Sequence, residues 1–248
     1  MKVTDKITVT NEDNMELMSR YPDNYFDLAI VDPPYGLGDR LVKGGAKGGM
    51  GTLKNLADDK VTAWDDEIPP PEYFTELQRV SKKQIIWGGN YFLDYLGKTD
   101  GFVVWDKMNG TNPMADAELA WQNIKGTTRM FRWHHFSGER TKKIHPTQKP
   151  VKLYEWLLMN YVKEIDCKEC DNGRMIDDDF DGSTIPCEYC KGTIKRKPKI
   201  LDTHLGSGSI ALACHNLGYE LTACELDKDY YEASIKRINN HVSQQRLF

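Results

Sequence analysis

Short apolar, often β-branched runs alternate along this chain with longer segments of helical spacing. Residues 6–10 (KITVT) and 26–31 (FDLAIV) read as strands. Between them lies a helix that Asn11 or Asn14 caps and that runs to Arg20, with Met15 and Met18 on its apolar face. Residues 71–82 place Tyr73, Phe74, Leu77 and Val80 on one helical face. A strand over 84–88 (QIIWG), a short helix over 90–96 and a strand over 101–105 (GFVVW) follow. Residues 115–121 and 127–134 read as two further strands, the second alternating less cleanly. A helix over 151–162, a strand over 199–203, a helix over 210–217, a strand over 219–224 and a helix over 227–241 complete the pattern. Strands interleaved with helices in this way predict an α/β fold, a mostly parallel sheet with helices on both faces.

The strand over 26–31 ends in Asp32-Pro33-Pro34-Tyr35. Two prolines give a stiff backbone that shows carbonyls and no N–H. With the Asp32 carboxylate and the flat Tyr35 ring, this corner suits a planar base carrying an exocyclic amino group. The structural alternative is a proline-capped strand end with Tyr35 in the core. The segment after it is dense in glycine, interleaved with Arg40, Lys43, Lys47 and Lys54, and reads either as a lid that touches phosphates or as a linker.

Composition adds limits. The 248 residues suit one large domain with a small appendage, and 40% hydrophobic with 28% charged residues is ordinary for a globular protein. No apolar stretch reaches the ~20 residues of a membrane helix, and no signal pattern opens the chain, so a cytoplasmic setting, bacterial or phage-infected, is expected. The net charge of -4 gives no global basic field. Locally, however, Lys125, Arg129, Arg132, Arg140, Lys142, Lys143, Lys149 and Lys152 face the single acid Glu139, with Trp133, His134, His135 and Phe136 among them. Cations interleaved with aromatics suit a groove that follows phosphates and stacks bases; a solvated face is the alternative.

Two further motifs carry ligand chemistry. His145-Pro146-Thr147-Gln148-Lys149-Pro150 leads into the helix over 151–162, whose start offers unpaired N–H groups beside Lys149. Asp202-Thr203-His204-Leu205-Gly206-Ser207-Gly208 joins a strand to a helix as G-x-G-x-x-A, and Glu225 stands 19 residues beyond Gly206 at the end of the next strand. That context fits a turn that admits an adenosine-containing ligand while the acid takes its ribose hydroxyls. Between the motifs, Cys167-x2-Cys170 and Cys187-x2-Cys190, 16 residues apart, have the spacing of a four-thiolate zinc site. Four thiolates leave no open position, so a structural ion is expected, and the knuckles resemble those of DnaJ-type zinc modules. Cys214 and Cys224 lie in apolar surroundings and read as core.

Taken in order, the three motifs resemble those of the β-class S-adenosylmethionine-dependent DNA amino-methyltransferases, with the catalytic tetrapeptide ahead of the cofactor turn. The resemblance covers nearly the whole chain outside the cysteine insertion. It implies a Rossmann-like, mostly parallel, seven-stranded sheet with an antiparallel edge hairpin. It divides the chain into a catalytic half (1–163, target recognition at about 125–143), a zinc-knuckle insertion (164–198) and a cofactor-binding half (199–248). It also implies methyl transfer to N6 of a flipped adenine in double-stranded DNA. By that analogy Asp32, Pro33, Pro34 and Tyr35 are catalytic. Asp32, Thr147, Lys149, Asp202, Leu205, Gly206, Ser207, Gly208 and Glu225 bind the cofactor, and Lys43, Lys47, Arg129, Arg132, Arg140, Lys142 and Lys143 meet DNA.

The chain departs from the family at Thr203 and His204, where Pro and Phe are usual. Cytosine-N4 or RNA methylation, and an inactive zinc-dependent DNA-binding protein, are the alternatives. A protein-glutamine methyltransferase shares the Pro-Pro-Tyr corner but carries Asn in place of Asp32 and an earlier glycine loop. A restriction endonuclease partner and a homodimer are left open.

Overall fold

The computed structural model describes residues 2–37, 67–110, 115–134, 143–167, 170–176, 184–187 and 189–244. The glycine-rich segment with Lys43 and Lys47, and the stretch with Arg140 and Lys142, lie outside the described residues.

Eight strands form one sheet in the order β1-β12-β11-β2-β3-β5-β4-β6. They are β1 (Ile7–Asn11), β2 (Leu28–Val31), β3 (Gln84–Trp87), β4 (Phe102–Asp106), β5 (Ala117–Gln122), β6 (Arg129–Arg132), β11 (Lys199–Asp202) and β12 (Glu220–Glu225). All neighbours pair in parallel except β5, which runs against both β3 and β4. The Rossmann-like sheet and the antiparallel hairpin (β4–β5) are as expected, but there are eight strands rather than seven. The strand expected over 127–134 is β6, which pairs in parallel with β4 and so forms the sheet edge in place of the hairpin.

Alternation along the central strands divides the core into two layers. Leu28 and Ile30 of β2 face a cluster with Leu153, Leu157 and Leu158 of α4 (Val151–Tyr161), Ile210 and Ala213 of α5 (Ser209–Leu217) and Ile238 of α6 (Lys228–Ser243). Ala29 and Val31 face the other side, with Leu17 and Met18 of α1 (Asn14–Ser19), Tyr73, Phe74 and Leu77 of α2 (Pro71–Val80) and Leu96 of α3 (Leu93–Leu96). No helix among the described residues is long and apolar enough to cross a membrane.

Strand direction places the chemistry. The parallel strands β1, β2, β3, β11 and β12 end at one edge, which therefore gathers Asn11, Asp32, Trp87, Asp202 and Glu225. Antiparallel β5 begins at that same edge with Ala117 and Glu118, opposite Asp106 and Trp105 of β4. Ligands of open α/β sheets bind outside this carboxyl edge. Helix α4 runs back from it and ends at the opposite, amino edge, where the cysteine insertion departs and rejoins β11.

The insertion holds two small ladders, β7 (Ile165–Asp166) with β10 (Lys195–Arg196) and β8 (Arg174–Ile176) with β9 (Thr184–Pro186). It is tied to the amino edge through the buried carboxylate of Asp27, which accepts from Arg196 (2.7 Å), Lys82 (2.6 Å) and the Lys199 N–H (2.9 Å). Burial raises the Asp27 carboxyl, but these donors outweigh it and hold the carboxyl below its ordinary value.

Candidate functional site

At the carboxyl edge Asp32 follows directly on β2. Its Oδ1 accepts the Tyr35 hydroxyl at 2.5 Å and its Oδ2 the Lys149 ammonium at 2.5 Å. The Tyr35 ring stacks on Tyr91 (centroids 5.3 Å apart, 22° between planes) and meets the edge of Phe92. The backbone turn after β3 makes room for it: a Cβ on Gly88 would lie 2.2 Å from the ring. Burial, with Asp32 and Glu118 nearby, pushes the Tyr35 phenol well above its usual range, so it stays a neutral donor.

Lys149 comes from the segment before α4, 117 residues from Asp32. Its side chain is 2% exposed and lies between the rings of Trp87 (5.3 Å) and Tyr35 (5.8 Å). It also faces Glu118 Oε2 at 3.0 Å, while Lys107 contacts Glu118 Oε1 at 2.5 Å. Burial alone lowers an ammonium and raises a carboxyl. Here the pairings outweigh it. Lys149 is raised by Asp32 and Glu118, and Glu118 is brought down to about 2 by Lys149 and Lys107. Lys149 and Glu118 therefore keep their charges at neutral pH.

Beside it stands the glycine turn after β11. Asp202 is buried, its Oδ1 accepting the His204 N–H at 3.0 Å; burial, with Asp32 and Glu225 near, raises its carboxyl to about 8. Gly206 has φ +52°, a conformation open to glycine at little cost, and the His145 ring lies over it. The two sequence motifs are thus in contact, with Thr147 Oγ1 3.1 Å from His145 Nδ1. Glu225 Oε2 accepts the Gly206 N–H (2.8 Å) and Oε1 that of Asp227 (3.0 Å). Burial raises this carboxyl too. Leu205 and Ser207 are buried beneath the turn, the Ser207 carbonyl accepting Arg237, and Gly208 packs on Ile238. Thr203 and His204 turn to α2 and α1: Tyr73 OH lies 2.7 Å from Thr203 Oγ1, and Asn14 Nδ2 lies 3.3 Å from His204 Nε2. Burial lowers His204 to about 4, so it is neutral.

The predicted residues therefore divide. Asp32, Tyr35, Lys149, Asp202, Gly206 and Glu225 meet at one edge. Arg132 ends β6 at that edge, paired with Asp106 at 3.3 Å, whereas exposed Arg129 begins β6 toward the amino edge; Lys143 is exposed. Lys107, Glu118, Trp87, Gly88 and Tyr91 complete the site without having been singled out from sequence. Two signals were there to see: a Gly-Gly pair directly after a strand, and Glu118 inside the otherwise apolar run 117–121.

At the amino edge the four cysteine sulfurs lie within 4.8 Å of one another. Cys167–Cys187 and Cys170–Cys190 sulfurs are each 3.7 Å apart. That is too long for a disulfide bond of about 2.05 Å and close to the ~3.8 Å edge of a tetrahedron with ~2.3 Å Zn–S bonds. The thiol set therefore fits a tetrahedral zinc ion.

This fold and site define a Rossmann-like α/β protein with its candidate ligand groups at the carboxyl ends of parallel strands. The chain belongs to the DNA methylase family of N6 and N4 methyltransferases, whose profile matches residues 104–236, more than half its length. That match begins downstream of Asp32. The fold is shared by M1.HpyAVI, solved in complex with SAM (18% identity, TM-score 0.52, covering 94% of this chain and 99% of that one). It is shared as well by the PvuII DNA methyltransferase, described as cytosine-N4-specific (12% identity, TM-score 0.54, covering 96% and 93%). Among curated proteins, none matches the sequence significantly.

Proposed function

We propose that the protein is a DNA methyltransferase that moves a methyl group from S-adenosylmethionine to N6 of an adenine flipped out of duplex DNA. The observation that carries this reading is the meeting of Asp32-Pro33-Pro34-Tyr35 and the Asp202–Gly206 turn at one sheet edge. S-adenosylmethionine supplies a methyl group on a positively charged sulfonium. The edge suits such a ligand: the Asp32, Asp202 and Glu225 carboxyls crowd there and offer acceptor oxygens for its amine and hydroxyl groups. Gly206 and Gly208 would let the ligand approach the backbone, and Glu225 retains lone pairs for its ribose hydroxyls.

On the substrate side, Tyr35 offers the stacking surface, and Asp32 with the Pro33 carbonyl would accept the two amino hydrogens. This orients the nitrogen lone pair for attack and stabilises the positive charge that develops on nitrogen. As the N–C bond forms the C–S bond breaks, S-adenosylhomocysteine leaves, and one amino proton passes to solvent. Orientation of the two reactants can contribute on the order of 7–11 kcal/mol. Asp32 exchanges its Tyr35 and Lys149 partners for the amine when the base arrives. Arg129, Arg132 and Lys143, with Lys43, Lys47, Arg140 and Lys142, are the proposed phosphate contacts. Cys167, Cys170, Cys187 and Cys190 are the proposed ligands of a structural zinc, far from the chemistry.

The test is transfer of tritiated methyl from S-adenosylmethionine to unmethylated duplex DNA by the wild type and by Asp32→Asn, followed by nucleoside analysis. N6-methyladenine from the wild type alone is expected. N4-methylcytosine would keep the mechanism and change the base, and labelled RNA with unlabelled DNA would replace the substrate. Cofactor binding without turnover would leave a zinc-dependent DNA-binding protein.

A further inference from the structure

We propose that Glu118, braced by Lys107, is a positioning residue for Asp32: it keeps hold of the Lys149 ammonium while Asp32 turns to the substrate amine. The inference rests on the methyltransferase reading and deepens it. Lys149 lies between two carboxylates, 2.5 Å from Asp32 Oδ2 and 3.0 Å from Glu118 Oε2, and its own side chain is almost wholly enclosed. An ammonium so buried must keep a counter-charge. If Asp32 were its only partner, every approach of Asp32 to an incoming amine would strand the cation, and the carboxylate would stay tied to lysine.

Glu118 removes that conflict, because Lys149 has three donor hydrogens and the buried Glu118 Oε2, at ion-pair distance without a hydrogen bond of its own, can take one of them. Lys107 gives Glu118 a partner of its own on the other oxygen, so the four groups alternate in sign and sum to zero. The fold explains why they meet. Lys107 follows β4 and Glu118 lies at the start of β5 opposite Trp105; the Lys107 N–H donates to the Asp116 carbonyl at 2.8 Å, which makes Lys107 and Glu118 diagonal neighbours on one face of the ladder. With Trp87 and Tyr35 walling the ammonium on two further sides, Lys149 has little freedom to follow Asp32 when that carboxylate moves.

The experiment uses full-length wild type, Glu118→Gln, Glu118→Asp and Lys107→Met. Three quantities are read: the single-turnover rate of tritiated methyl transfer to DNA from a methylation-deficient host, the Kd for S-adenosylmethionine by equilibrium dialysis, and the Tm. Glu118→Gln is expected to slow transfer by about 10- to 100-fold, the range a displaced catalytic group produces. Its cofactor Kd should stay within about three-fold, and Glu118→Asp should recover most of the rate. A wild-type rate in Glu118→Gln overturns the proposal. So does a cofactor affinity that falls in step with the rate, since Glu118 would then act through the cofactor. If Glu118→Gln does not fold, Lys107→Met decides in the same way: a slower rate at unchanged Kd supports the role and an unchanged rate overturns it. Wild type that transfers no methyl group at all overturns the methyltransferase reading, and this inference with it.

Discussion

Gly88→Ala is the substitution whose effect the structure specifies most closely. Gly88 has φ +68°, so any L side chain there pays for a left-handed backbone, about 1–2 kcal/mol. The added methyl would lie 2.2, 2.4 and 2.7 Å from Cε1, Cδ1 and Cζ of Tyr35. Carbon atoms in contact settle at roughly 3.5–4.0 Å, so the ring must move by more than ~1 Å. It cannot move freely, since Asp32 and Lys149 hold its hydroxyl and Tyr91 covers it. Overpacking of this kind costs about 1–3 kcal/mol. The sum is about 2–5 kcal/mol, or a Tm lowered by roughly 4–20 °C for a domain of this size. Displacing Tyr35 also disturbs its bond to Asp32, so methyl transfer should fall by up to about 100-fold.

Gly97→Ala is the control. Gly97 shares the positive φ (+70°), but nothing lies within 4 Å of the added methyl. With ψ -159° against 16° at Gly88, its backbone strain is of another kind and at least as large, but it displaces no ring, so it should keep its activity. Thermal unfolding and single-turnover transfer on both variants decide the matter. A Gly88→Ala protein as active as Gly97→Ala would refute the role of this glycine in seating Tyr35.

Other expectations follow from the same geometry. Lys149→Met leaves Asp32 and Glu118 without their shared cation; it should cost about 3–5 kcal/mol in denaturant unfolding, toward the lower figure because both carboxylates keep some water. A loss under 1 kcal/mol would contradict the buried pairing. Asp202 titrates near 8 when folded and near an ordinary 3.8 when unfolded, so the unfolded state sheds this proton first and stability declines as pH rises from about 4 to 8. Asp202→Asn lacks that titration. Its stability relative to wild type should grow across this window and level off above it, while S-adenosylmethionine affinity falls; a difference flat with pH would count against the buried proton. Removing metal with a strong chelator should release about one zinc per chain, as metal analysis would show, and lower the Tm. Full stability with all four cysteines reduced and no metal bound would count against a zinc centre.

Local signals made much of this molecule legible in advance. The apolar run into Asp32, the strand–glycine-turn–helix around Gly206 and the helix after Pro150 each carry their pattern within a few residues, and the structure has them there. Paired cysteines likewise announce their cluster by spacing alone. What stayed hidden depends on strand direction. Glu118 reaches Lys149 only because β5 runs against its neighbours, which no period along the chain encodes. The insertion lies at the amino edge, away from Asp32, because α4 ends there, and its tie to Asp27 joins residues 169 apart in sequence. The strand over 127–134 was legible despite its weak alternation, and it is Arg129–Arg132 in the structure; its place beyond β4, which makes the sheet eight-stranded, was not legible.

The most direct measurement is base-resolved modification sequencing of DNA from a methylation-deficient host that expresses this chain, beside the same host expressing Asp32→Ala. The account predicts N6-methyladenine in a recurring short sequence with the wild type and none with the variant. An unmodified genome in the presence of folded wild-type protein, or equal modification by both, would contradict it.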